Sequence, residues 1–178
     1  MLEHSEALMT LAEVSATFAG FAALVTLFAR RRVEGGTVHD LMRLRIVIGT
    51  SVAAVMAALF PVAAAGLGLP EGMIWQASAL LFMVLLYFVI GSFVSSYKSV
   101  RGTFPPDKLA VMVALGLEIL IQISLITILV GGAGERQFGL YIAAIIGTIG
   151  QAGFVFLRLV ESSFSTIAYR SDKVTSTT

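Results

Sequence analysis

The sequence predicts an all-α integral membrane bundle of five transmembrane helices, with the N-terminus outside and the C-terminus in the cytoplasm. Three observations lead there. Of 178 residues, 57% are hydrophobic and only 13% charged, with a mean hydropathy of +0.92; a water-soluble domain carries about a quarter charged residues. Five apolar runs stand out, Leu8–Phe28, Ile46–Leu69, Met73–Tyr97, Leu109–Val130 and Phe138–Val160, each 21 to 25 residues long. A hydrocarbon layer about 30 Å thick needs roughly 20 helical residues, and the runs lack the alternation of barrel strands. Finally, five spans put 11 of the 12 Lys/Arg on one side and leave Arg136 alone on the other. The basic side is cytoplasmic by the positive-inside rule.

The expected helices cover about 8–30, 38–69, 73–97, 106–130 and 138–162, forming one domain over residues 1–162 with a polar cytoplasmic tail at 163–178. The first has no basic residue before it and no small-residue cleavage site, so it is expected to be a retained helix and not a signal peptide. Thr37 and Asp40 have capping-box spacing and should open the second helix. This helix is rich in alanine and contains Pro61, which removes one backbone hydrogen bond. A hinge near a gate and a kink re-satisfied by neighbouring helices both fit that proline. The third run carries Phe82, Tyr87, Phe88 and Phe93, bulk that suits lipid exposure, with Trp75 and Tyr97 at opposite ends as an aromatic belt would have them. Pro105-Pro106-Asp107 should open the fourth helix, and Gly131-Gly132-Ala133-Gly134 should turn the chain into the fifth.

Several chemistries are excluded. There are no cysteines, and both histidines, His4 and His39, lie outside the runs, so thiolate sites, paired-histidine haem and histidine-rich metal sites have no ligands. No phosphate-binding glycine loop and no nucleophile elbow occurs. Intramembrane hydrolysis lacks both a Ser–His pair and a pair of aspartates. The sequence therefore predicts no enzyme, no cofactor, no metal centre and no nucleic-acid partner.

Polar residues inside the runs are the remaining candidates, because ionisable groups in a span cost at least 2.5–3.5 kcal/mol on insertion scales. Glu118 is near the middle of the fourth run, with Gln122 one turn further along and Gln151 of the fifth run at a similar depth. Either glutamine could hydrogen-bond Glu118. The trio reads as a proton or cation site, or as a protonated glutamic acid acting as interhelical glue. Glu13 falls roughly 7 Å from the middle of its helix at 1.5 Å per residue. Its face continues through Thr17, Gly20 and Leu24 to Arg31, beside small residues Ala12, Ala16 and Gly20 that permit close helix approach. A pore-lining helix with acid outside and base inside fits this pattern. So does a simple cap, because Thr10 and Glu13 also have capping-box spacing. The fifth run has its own small stripe at Gly139, Ala143 and Gly147. Two such faces suit one contact within the protomer and one between subunits, although packing inside a monomer explains either stripe alone.

The stretch Glu13-Val14-Ser15-Ala16-Thr17-Phe18-Ala19-Gly20-Phe21-Ala22 resembles the first helix of a group of small, uncharacterised bacterial inner-membrane proteins. That resemblance implies location and topology and no activity. Ser15 to Ala22 is also similar to a phrase in the pore helix of Orai calcium channels. In Orai, basic residues precede the phrase and an acidic filter residue follows it; here Glu13 precedes and Arg30–Arg32 follow, within five helices instead of four. No Orai site transfers residue by residue. The expectation is a homo-oligomeric inner-membrane channel for a cation such as calcium, sodium or the proton, with Glu13 at its outer mouth. The alternatives are a carrier using Glu118 and a non-conducting scaffold or sensor that presents basic loops to anionic lipid or a partner.

Overall fold

The computed structural model describes residues 5–32, 38–98 and 108–175. They form α1 (Ser5–Arg32), α2 (Val38–Gly66), α3 (Glu71–Lys98), α4 (Lys108–Leu129), a 3-10 turn (Gly134–Arg136) and α5 (Gln137–Thr175), with no strand among them. All five α-helices are long and apolar enough to cross a membrane, which makes this a multi-pass membrane protein by helix length and composition. The outward-facing surface agrees: Phe88, Met112, Leu120 and Leu157 are more than 60% exposed. A protein in water rarely shows so continuous an apolar surface.

Each helix packs on its sequence neighbours, and α5 closes the ring by packing on α1 and, across the middle, on α2. Alanine explains why α2 can hold that central place. Ala53, Ala54, Ala57 and Ala58 are at most 2% exposed, and α3 and α5 also lie against α2. Small side chains let helix backbones approach without a hydrophobic drive from water. Two glycines mark other close approaches. A Cβ on Gly49 would stand 3.2 Å from Val89, and one on Gly147 would stand 3.0 Å from Ile121. On α5, Gly147 of the small stripe lies against α4, and Gly153 beyond it lies against Phe18 of α1.

Pro61 is buried, and its effect is local. A proline at position 61 supplies no N–H to the carbonyl of residue 57. The Tyr141 hydroxyl of α5 donates to the Ala57 carbonyl oxygen at 2.8 Å, so a neighbouring helix fills the vacancy. The re-satisfied kink offered by the sequence is thus present at this carbonyl. Tyr141 is fully buried, with its ring 5.6 Å from Trp75 and 6.1 Å from Phe82 between centroids. This aromatic cluster ties α2, α3 and α5 together.

The cluster corrects two expectations. Trp75 is 2% exposed and packs on Tyr141 and Phe138 in the core, so it is no interfacial belt residue. Phe82 is completely buried, whereas Tyr87 and Phe88 on the opposite side do face outward. The Tyr97 side chain, Thr37 of the expected capping box and Pro105-Pro106-Asp107 lie outside the described residues.

Helix limits differ from expectation by three residues or more in three places. Helix α1 begins at Ser5, before the expected start near 8. Helix α2 ends at Gly66, short of 69, because Gly68 takes a φ of +74° ahead of Pro70. Helix α5 continues through Thr175, past the expected limit of 162. The turn after α4 falls where the glycines placed it. Gly131 has a φ of +75°, and Gly132 N donates to the Thr127 carbonyl while Gly131 N donates to that of Ile128. This left-handed C-terminal motif satisfies the last carbonyls of the helix.

Candidate functional site

Two of the polar groups in the apolar spans hold the candidate residues, one on the exposed side of α1 and one between α4 and α5. On α1, Leu8, Ala12, Ser15 and Ala22 are buried against the bundle. At 3.6 residues per turn, Glu6, Thr10, Glu13 and Thr17 lie within roughly 60° of one another on the opposite side, and Gly20 and Leu24 continue that strip. All six are exposed. A Cβ on Gly20 would meet nothing within 4 Å, so that glycine serves no contact inside the protomer. Helix α1 thus leaves its polar side exposed along the strip.

Local hydrogen bonds explain how the strip is built. Thr10 Oγ1 donates to the Glu6 carbonyl at 3.0 Å, and Thr17 Oγ1 donates to the Glu13 carbonyl at 2.8 Å. The threonine hydroxyls are therefore satisfied by their own helix. Neither the Glu6 nor the Glu13 carboxylate has an ion-pair or hydrogen-bond partner among the described residues. Both border a groove of about 750 Å³ between the first turns of α1 and the end of α2, with Met9, Val62 and Ala65 as its apolar wall. The capping alternative for Glu13 fails. Thr10 and Glu13 sit in the second and third turns of a helix that starts at Ser5, too far in to satisfy orphan donors. Arg31 lies in the last turn of α1, and its side chain is outside what the structure describes.

The second group is built by register. On α4, Gln122 Nε2 donates to Glu118 Oε1 at 2.7 Å, one turn apart. Gln151 of α5 reaches α4 as well, but its amide donates to the Ala114 carbonyl at 3.2 Å, one turn from Glu118. The structure joins Glu118 to Gln122 and leaves Gln151 on the backbone. Glu118 Oε2 and Gln122 Oε1 are buried without a hydrogen-bond partner. Two unsatisfied oxygens on one bonded pair mean that the pair lacks a donor, which a hydrogen on the acid or a bound cation would supply. Among the described residues no group of three or more His, Cys, Asp or Glu is placed to hold a metal.

Glu6 was missed as part of this strip because it precedes the apolar run, and Thr10 was read only as a cap beside Glu13, although the spacing at 6, 10, 13 and 17 was readable. Tyr141 gave no sign of its role, since its partner carbonyl is set by the register of α5 on α2.

Compared with known protein families, with curated proteins and with solved structures, the chain has no match.

Proposed function

We propose that several copies of this chain assemble in a bacterial inner membrane with α1 around a common axis, forming a cation-conducting pore. The observation behind this reading is the polar strip Glu6–Thr10–Glu13–Thr17, exposed on the side of α1 opposite its buried face. In a lone protomer that strip would face acyl chains, where an unpartnered carboxylate is costly. Around an axis it faces water instead. Gly20 and its small neighbour Ala16 allow the helices to come close. Glu13 then attracts cations at the outer mouth, followed by Thr17, Gly20 and Leu24 along the pathway. Arg31, at the far end, opposes cation exit and is where the resting pathway closes. The 11-to-1 partition of Lys/Arg supports an N-terminus outside the cell.

The absence of cysteine allows a clean test. Single cysteines at Gly20 or Leu24 should form disulfide-linked dimers under mild oxidation in membranes. A cysteine at Leu120, exposed on α4, should not. Cysteines at Ser5, Gly72 and Gly134 should react with an impermeant thiol reagent in intact cells, and those at Gly36, Gly102 and Ser171 only after permeabilisation. Cross-linking through Leu120 but not through α1 would remove the axis, and reversed labelling would overturn the orientation.

A second reading rests on the two unsatisfied oxygens of the Glu118–Gln122 pair. Such a pair suits a proton- or cation-coupled carrier, with Gln151 fixing α5 against α4 beside it. For this carrier, Glu118→Gln should abolish proton-coupled uptake into liposomes while leaving folding and yield intact. Full retention of uptake would reduce Glu118 to a packing residue.

A further inference from the structure

Arg45 is the second residue of the α2 span Leu44–Gly66, and Ser92 lies three residues before the α3 span ends at Ser95. Both therefore sit at the level where hydrocarbon gives way to headgroups. Between them the two helices leave a groove of about 120 Å³ lined by Arg45, Ile46, Gly49, Phe88, Val89, Ser92 and Phe93. That volume holds about four groups the size of a water molecule, and its walls are overwhelmingly apolar. Gly49 forms the floor, where the absence of a side chain lets Val89 approach. Phe88 is 76% exposed at the rim. Arg45 is exposed and has no ion-pair or hydrogen-bond partner among the described residues. The ends of the chain's helices at this level carry most of its Lys and Arg.

We infer that this groove is a binding site for one anionic phospholipid, with Arg45 on the phosphate and the first methylenes of an acyl chain against Ile46, Val89 and Phe88. An apolar slot with one cation at its mouth among the described residues matches an amphiphile with one negative charge. A guanidinium is suited to phosphate, to which it can offer two parallel N–H donors. Basic pockets between helices near the membrane surface take acidic headgroups on the same principle, each Lys/Arg contributing about 1 kcal/mol. The site depends only on the five helices lying in a bilayer. It stands whether or not the α1 strip lines a pore.

Native mass spectrometry of the full chain in a neutral detergent tests it, with phosphatidylglycerol and phosphatidylcholine of identical acyl chains as probes. The wild type should retain one phosphatidylglycerol in preference to phosphatidylcholine. Arg45→Gln should weaken that retention about fivefold, and Arg45→Lys should keep most of it. Phe88→Ala removes only an exposed ring and should weaken both lipids several-fold without loss of folded protein. That variant keeps the site testable even if Arg45→Gln extracts poorly. Equal retention of the two lipids, or unchanged phosphatidylglycerol binding in Arg45→Gln, would overturn the site. Thermal stabilisation by inorganic phosphate alone, matched to that by phosphatidylglycerol, would make it a free-anion site and overturn the lipid assignment.

Discussion

In a planar bilayer with a tenfold KCl gradient, the wild-type assembly should reverse its current near the potassium equilibrium potential, about 59 mV from zero for a monovalent ion. Glu13→Gln should bring that potential most of the way to zero, and Glu13→Lys should change its sign. A large effect is expected because, in the proposed assembly, the strip would bring one Glu13 carboxylate per subunit to the same level of the axis. Several like charges facing a narrow aqueous path raise the local cation concentration far more than an isolated surface charge does. Extraction yield and oligomer size should be the same for all three proteins, since the Glu13 carboxylate is exposed and bonds to nothing among the described residues of its own protomer. Unchanged selectivity in Glu13→Lys would dismiss Glu13 from the pathway. Failure of both variants to assemble would make it a packing residue between subunits.

Tyr141→Phe should destabilise the bundle by about 1–2 kcal/mol, read as the unfolding free energy in mixed micelles. It strands the Ala57 carbonyl that Pro61 leaves without an N–H donor. The same substitution made in a Pro61→Ala background should cost close to nothing, because residue 61 then supplies its own N–H to Ala57. The difference between the two backgrounds isolates this one bond from every other consequence of either change. Equal losses in both would show that the hydroxyl contributes by some route other than the freed carbonyl.

How much was legible in the sequence divides along physical lines. The five spans were, because length and hydropathy are summed over 20 or more residues and no tertiary contact can reverse them. The direction each side chain faces was not. In α3 nearly every position is apolar, so no helical period separates Phe82, which is buried, from Phe88, which is exposed. Aromatic content suggested lipid for both. In α1 the opposite holds, since Glu6, Thr10, Glu13 and Thr17 interrupt an apolar helix at a regular spacing. The strip was half recognised from Glu13 onward. The capping alternative arose because Thr-x-x-Glu spacing recurs wherever polar residues share a helix face. Of the two partners the sequence offered Glu118, Gln122 is the one it meets, because a separation of four fixes geometry within one helix. The sequence could not choose between them, because which atom of α4 Gln151 meets depends on how far α5 slides along its neighbour.

The burial of Trp75 also gives the protein a built-in spectroscopic probe. It is the only tryptophan in the chain, held away from both water and acyl chains by Phe138 and Tyr141. Its emission should be blue-shifted in the native state and insensitive both to acrylamide and to brominated lipid tails. Each quencher should gain access only when α3 parts from α5. Brominated acyl chains would therefore distinguish a bundle that loosens within the bilayer from one that leaves it, without a label and without altering a residue.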